Sequence, residues 1–467
     1  MLKGALVLTG GRLTAGLVRI ARNILLARLI GVEDYGVAGT FVITFTLVLM
    51  MADMAFDRFA IQHRSGDTPR FISVLHTLTL ARAVLIAGLV YVSADLLARL
   101  YSQPELTWAY QTIAVVPVLL AFLHLDITRE QRDMRFYKHA IVEIVGAAAP
   151  TVLLWPLALW LGDFRVILWL IAIECMARVA VSHWLADRPY RLGWEFDIAK
   201  SAFVFGIPLI FSSLLGFISM NGDRILVANQ FTAHDLGLFT ATLTLFLVPI
   251  QFAMSVVNSL FLPMLARERD NPRRFEQQAS VVLQAMTLAG AGVTAGIAMV
   301  GVPLLLLTFG SDYAEASSLI LPIGLMVGLF LARTGPNVIA LSRGRTKLIL
   351  VGSIVRVLAL PVAVGVALAG GDIRDIVLVG AVGEGGALAV MLGLLSRRLS
   401  LQARLKDCRM VLVFGLGLLL ILLLADRTAL PSDVGKATAV ALLLAMVAVS
   451  HALRRWVIGG LARRLRG

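Results

Sequence analysis

The chain has 467 residues, 59% of them hydrophobic and only 15% charged, with a mean hydropathy of +0.86. That balance excludes an ordinary soluble globular protein and describes a polytopic membrane protein. The formal charge of +13 lies mostly in short connections between apolar runs, which argues for topological and lipid-facing use and against a nucleic-acid partner.

Windows of about 20 residues, matched to the hydrocarbon thickness, predict spans at 9–29, 37–55, 75–98, 107–126, 139–163, 166–186, 202–222, 237–263, 279–306, 315–341, 347–369, 374–396, 409–425 and 437–457. The expectation is an all-α polytopic membrane protein with 14 transmembrane helices. The first span is unusual in carrying Arg12, Arg19, Arg22 and Arg28. At 100° per residue the first three fall within a sector of about 80°, and a cationic face is costly in lipid, so it should look into protein or water. A juxtamembrane amphipathic helix holding lipid phosphates is the alternative. Span 2 contains Asp53, with Asp57 four residues on and just past its end, on the side where Arg12 is expected; Asp53 is read as a bridge or gate and Asp57 as a gate or a solvated loop residue.

Further along lie Arg82 in span 3, Glu143 in span 5, Glu174 and Arg178 in span 6, Asp223 and Arg224 at the outer end of span 7, Arg333 in span 10, Arg356 in span 11, and Glu384 near the middle of span 12. Glu174 and Arg178 are i,i+4 and read as an ion pair on one helix. Asp223 and Arg224 read as a cap or gate at the water boundary. Arg19, Arg22, Arg82, Arg333 and Arg356 have no equally evident acidic partner. With Arg12 they suggest a cavity of positive potential suited to phosphate or pyrophosphate, which the guanidinium fork binds well. Glu143 and Glu384 either balance charge or take up a proton or Na⁺.

The connections test this order. With the N-terminus inside, 28 of the 42 lysines and arginines fall on the cytoplasmic side, six on the outer side and eight within spans. Such a bias places both termini in the cytoplasm. Trp108, Trp160 and Trp169 fall near outer boundaries, and Trp184, Trp194 and Trp456 near inner ones. The charged first stretch is not expected to be a cleaved signal peptide. Cys175 and Cys408 offer no disulfide framework or metal-ligand spacing, and the seven histidines lie towards membrane boundaries rather than around one another. With no nucleophile motif, phosphate-cradling glycine loop or sizeable extramembrane segment, neither an enzyme nor a bound cofactor is expected.

A weak internal repeat joins these elements. Glu33-Asp34-Tyr35-Gly36-Val37 recurs as His234-Asp235-Leu236-Gly237-Leu238, an offset of 201, and Asp67-Thr68-Pro69-Arg70-Phe71 recurs near Asp270-Asn271-Pro272-Arg273 at an offset of about 203. The division that follows is an N-terminal lobe at 1–200 (helices 1–6), a C-terminal lobe at 201–398 (helices 7–12), and helices 13–14 with a basic cytoplasmic tail at 399–467. Two pseudo-symmetric six-helix lobes related about the membrane normal would rock against one another.

Ala27-Arg28-Leu29-Ile30-Gly31-Val32-Glu33-Asp34-Tyr35-Gly36 resembles the opening signature of the polysaccharide transporter or oligosaccharide flippase family, of the superfamily that includes the multidrug and toxin extruders and the peptidoglycan lipid flippase. Supporting points follow in the same order: Arg135-Phe136, Phe205-Gly206-Ile207-Pro208, Asp223-Arg224, Leu236-Gly237-Leu238-Phe239, Pro263, Gly335, and Gly344-Arg345-Thr346-Lys347. The resemblance implies a flippase of the bacterial inner membrane. Its substrate would be undecaprenyl-pyrophosphate-linked oligosaccharide, moved to the outer leaflet by alternating access for exopolysaccharide, capsule or O-antigen (lipopolysaccharide) synthesis. A polysaccharide polymerase and glycosyltransferases would be its neighbours, with direction supplied by an H⁺ or Na⁺ gradient or by substrate consumption. A peptidoglycan lipid precursor flippase and a cation-coupled drug antiporter of the same superfamily are the alternatives.

Overall fold

The computed structural model describes residues 2–52, 56–133, 135–268 and 270–398. Every regular element among them is helical. In order these are α1 (Leu2–Ile30), α2 (Val32–Ala52), the short α3 (Phe56–Gln62), α4 (Pro69–Val92), α5 (Ala94–Leu100), α6 (Thr107–Ile113), α7 (Val115–Ala121), α8 (Asp126–Glu130), α9 (Tyr137–Leu161), α10 (Arg165–Leu185), α11 (Phe196–Gln230), α12 (Ala233–Arg267), α13 (Pro272–Phe309), α14 (Ile320–Ser342), α15 (Thr346–Val357), α16 (Ala359–Leu368) and α17 (Ile373–Arg398), with short 3₁₀ turns between some of them. Among the described residues nine segments are long and apolar enough to cross a membrane, or ten if the segment bent by 52° between Pro104–Ala121 and Asp126–Asp133 is one span. α1 and α11 are not in that set. In α1 the interior arginines interrupt the apolar run. Predicted spans 13 and 14, with Cys408 and Trp456, lie outside the described residues.

The chain divides into two compact units, Met1–Ala241 and Thr242–Gly467. In the first, Phe56, Phe59, Phe71, Leu75, Leu78 and Leu125 form a buried cluster with Ala199 and Ala202 of α11. In the second, Leu265, Phe275, Val282, Met286, Ile339, Leu348 and Leu395 do the same. α14 carries small residues at Gly324, Gly328 and Ala332, one per turn, and these let α13 approach: a Cβ on Gly328 would lie 2.1 Å from the Thr294 hydroxyl oxygen and 2.6 Å from the Gly290 carbonyl oxygen. Small residues at a helix seam replace the hydrophobic drive that lipid cannot supply.

The repeated turns meet in the first unit. A Cβ on Gly36 would fall 1.8 Å from the Ala233 carbonyl oxygen, and one on Gly237 would fall 2.1 Å from the Val32 carbonyl oxygen. Adding 201 to Val32 and Gly36 gives Ala233 and Gly237, so the offset exchanges the two contacts: the turns pair about a local two-fold. Their acids serve different local ends. Asp34 accepts the Phe164 N–H at 3.2 Å, whereas Asp235 and Thr232 form a reciprocal cap at the start of α12, with the Asp235 N–H donating to Thr232 Oγ1 at 3.1 Å and the Thr232 N–H to Asp235 Oδ2 at 3.3 Å.

Candidate functional site: two buried arginine–carboxylate clusters

In the first unit, α1, α9 and α10 bring five of the predicted ionisable residues together. Arg19 and Arg22, three apart and therefore on one face of α1, both reach Glu174 of α10. Arg19 donates to Glu174 Oε1 through Nε at 3.1 Å and Nη2 at 2.9 Å, while Arg22 Nη1 donates to Oε2 at 2.7 Å. Arg19 also reaches Glu143 of α9 at 3.3 Å, and Arg178 closes the chain by donating to the other Glu143 oxygen at 2.7 Å. Gly146, one turn beyond Glu143, makes room for this: a Cβ there would stand 2.4 Å from Arg178 Cγ. Three arginines against two glutamates leave one net positive charge.

The second unit holds a smaller and drier version. Arg333 of α14 grips Glu384 of α17 with Nε at 2.7 Å and Nη2 at 3.3 Å, and Arg356 of α15 donates to Glu384 Oε1 at 3.1 Å. All three residues are buried. Here too the net charge is one positive, two arginines to one glutamate. Gly383 keeps α17 close to the start of α16, since a Cβ there would lie 2.6 Å from Ala359 Cβ.

Two sequence expectations are corrected by this geometry. Glu174 and Arg178 share a helix at i,i+4 yet do not form the predicted pair, because Arg178 turns to Glu143 of α9 and the two arginines of α1 occupy both Glu174 oxygens. Arg19, Arg22, Arg333 and Arg356, expected to lack evident acidic partners, all have one; a partner on a neighbouring helix carries no signature in linear spacing. The clusters also differ in access. The Arg19 side chain is 32% exposed and that of Arg22 11%, whereas those of Arg333 and Arg356 are 6% and 3%. The Nε atoms of Arg22 and Arg178 are buried without a hydrogen-bond partner, leaving donor capacity in the first cluster. Replacing Glu174 by Gln should therefore lower stability in detergent by about 2–4 kcal/mol, somewhat less than for a wholly buried pair, which thermal unfolding against the native chain would measure.

The other predicted residues stand apart. Arg12 lies on an exposed face of α1. The Arg82 guanidinium sits 5.0 Å above the Phe56 ring, an electrostatically favourable place for a cation. Asp223 is buried and Arg224 half-buried within α11. Asp53 and the side chain of Asp57 lie outside the described residues, so the expected bridge to Arg12 does too.

Sequence reasoning missed a third cluster, at the end of the first unit where α8, α9 and α10 meet. Lys138 binds Glu130 at 2.7 Å and Asp187 at 2.8 Å, and Arg129 binds Asp126 at 2.6 Å. The Lys138 ammonium holds the Asp187 carboxyl below its ordinary range. Beside it, the reading of the histidines as separate is overturned: His76 stacks on Tyr190 at 4.0 Å, and His124 stands edge-on to His76 at 5.3 Å and to His183 at 5.1 Å. The three come from distant parts of the chain. Their common position near predicted membrane boundaries was the available signal. Among the described residues, no group of three or more His, Cys, Asp or Glu is placed to hold a metal ion.

Known proteins agree in family and fold. The profile of the family described as polysaccharide biosynthesis protein matches residues 25–318. The chain is 24% identical over 298 residues to the succinoglycan biosynthesis transport protein ExoT of Rhizobium meliloti (strain 1021), covering 62% of this chain and 59% of ExoT. It is 21% identical over 308 residues to the lipopolysaccharide biosynthesis protein WzxC of Escherichia coli (strain K12), covering 64% and 60%. It is 29% identical over 177 residues to the capsular polysaccharide biosynthesis protein CapF of Staphylococcus aureus, covering 35% and 44%. The matches thus span about half of the length of these relatives. In fold, the chain is similar to the lipid II flippase MurJ in an inward closed conformation (TM-score 0.67, 11% identity, 95% of this chain and 98% of that one). A multidrug resistance MATE family transporter in an inward-facing conformation is also similar (TM-score 0.66, 16% identity, 83% and 94%). With a profile matching more than half of its residues, this multi-pass membrane protein belongs to the polysaccharide biosynthesis protein family.

Proposed function

We propose that the protein is a flippase that carries polyprenyl-pyrophosphate-linked oligosaccharide from the inner to the outer leaflet of the bacterial cytoplasmic membrane, for exopolysaccharide, capsule or O-antigen synthesis. The observation that carries this reading is the arginine cluster of α1, α9 and α10, inside a chain of this family. A diphosphate cannot enter hydrocarbon uncompensated. The first cluster offers a net positive charge, a half-exposed Arg19 and unpaired N–H donors.

In this reading the arginines do not wait bare. Each cluster keeps its guanidinium groups ordered and partly neutralised by carboxylates until the substrate arrives, and the incoming dianion then competes with Glu143 and Glu174 for the same forks. Arg19 is the first contact, with Arg22 and Arg12 beside it on α1 and Arg82 as a further cation. Displaced carboxylates are natural sites for proton uptake, which would couple transport to H⁺; Na⁺ is the other candidate ion. Glu174 and Glu384, on predicted spans 6 and 12, are each held by two arginines, and this parallel supports two related six-helix lobes, 1–200 and 201–398. Helices 13 and 14 in 399–467 would complete a fourteen-helix protein with both termini cytoplasmic. Alternating access of the two lobes needs no nucleotide site and no covalent step.

Vesicles reconstituted with the purified chain and a fluorescent prenyl-pyrophosphate-linked oligosaccharide test the proposal. Exchange of the labelled lipid between leaflets should exceed that of protein-free vesicles; equal exchange would refute it.

A further inference from the structure

Between the N-terminal half of α4, the α7–α8 junction and the 186–195 segment lies a cavity of about 200 Å³, lined by Pro69, Ile72, His76, His124, Arg188 and Arg191 among others. That is room for about six waters. Its lining includes two fixed histidines and the Asp126 carboxyl, which is tied to Arg129 at 2.6 Å. The Leu125 N–H donates to His76 Nε2 at 3.3 Å, so the His76 proton sits on Nδ1 and faces the Arg191 carbonyl oxygen at 3.1 Å. The Asp126 N–H donates to His124 Nδ1 at 3.1 Å, which puts the His124 proton on Nε2. That atom is buried and lies beside the Arg188 backbone. At the rim Arg188 is tied to Asp67, while the exposed Arg191 side chain makes no ion pair or hydrogen bond among the described residues.

The end of α10 and the connection that follows it expose large apolar side chains among their charges. Trp184 is 80% exposed, Leu192 56%, Trp194 64% and Phe196 68%. Tryptophans beside unpaired arginine at the end of a span mark the headgroup level of a bilayer. We propose that this face is a docking site for one anionic phospholipid, whose phosphate is held by Arg191 at the rim while its glycerol carbons lie against Pro69, Ile72 and Pro189. Apolar walls, a charged rim and exposed aromatics together fit a lipid headgroup better than a free anion, which would leave the walls and the tryptophans unused. The site rests on the chain crossing a membrane and does not depend on which substrate it moves.

The full-length protein in nanodiscs of phosphatidylcholine, with and without phosphatidylglycerol, provides the test. Native mass spectrometry should show phosphatidylglycerol retained in preference, with retention falling about fivefold in Arg191→Gln, the worth of one arginine near an anionic surface. Brominated phosphatidylglycerol should quench tryptophan emission more than brominated phosphatidylcholine does, and Trp194→Phe should reduce that difference. Equal retention by the native chain and Arg191→Gln would overturn the site, as would displacement of the retained lipid by inorganic phosphate. Neither readout uses leaflet exchange, so failure here and failure of the flippase reading are separate results.

Discussion

Replacing Glu384 by Gln is expected to destabilise the protein by about 3–5 kcal/mol, because the change leaves two buried guanidinium groups without a counter-charge. Arg333 and Arg356 both converge on this carboxylate, at 2.7 and 3.1 Å, from different helices. Neither can reach water by rotating, since their side chains are 6% and 3% exposed. An amide keeps the shape and one acceptor but loses the charge that offsets both arginines. Thermal unfolding in detergent would read the loss. The companion variant is more informative: Arg333→Met, Glu384→Leu and Arg356→Met together remove every charge at once, and a buried ionic triad replaced by apolar side chains is often tolerated. Near-native stability with lost transport would assign the triad a role in transport; native stability with native transport would make it dispensable scaffolding.

The second large effect is expected at Gly36. A methyl group there meets the Ala233 carbonyl oxygen at 1.8 Å, and because that oxygen belongs to a backbone, no side-chain rotation relieves the overlap. The starts of α2 and α12 must separate, at a cost of roughly 1–3 kcal/mol or more. Gly237→Ala should behave alike, since its methyl would stand 2.1 Å from the Val32 carbonyl oxygen. The two contacts are symmetry partners, so one separation relieves both. The double variant should therefore cost little more than either single one, a non-additivity that unfolding midpoints of the four proteins would show. Strictly additive losses would mean that the two contacts yield independently.

Gly36 also illustrates what the sequence made legible. The five-residue match between 33–37 and 234–238 is weak as a string, yet its glycines occupy equivalent places in one paired contact. Helix positions were legible as well, because long apolar runs leave few alternatives: among the described residues, helices occupy each of the first twelve predicted spans. Their breaks were less so. Predicted span 3 is interrupted at Ser93, just before Asp95, and span 11 at Leu358, where nothing in the local hydropathy changes. Ion-pair partners were least legible of all. Glu174 and Arg178 satisfied the local rule, but the stronger competitors came from α1 and α9, 155 and 35 residues away in sequence. The histidines failed for the same reason, His76, His124 and His183 being gathered by tertiary packing around Tyr190.

That pairing alters the electrostatic argument. Six arginines read as a bare cationic cavity would repel one another and demand counterions; two clusters with one net positive charge each do not. What remains for a substrate is the difference between an ordered guanidinium held by glutamate and the same group held by diphosphate. Arg19 is where that exchange should begin, because it is the most exposed cluster member and the one that touches both glutamates.

The most direct measurement is the rate at which vesicles containing Arg19→Gln exchange a prenyl-pyrophosphate-linked oligosaccharide between leaflets, compared with vesicles containing equal amounts of the folded native chain. Loss of one charge-assisted contact to the diphosphate, about 1.5–3 kcal/mol, predicts a rate lower by roughly tenfold to a hundredfold. An unchanged rate would contradict the assignment of the arginine–carboxylate cluster to substrate transport.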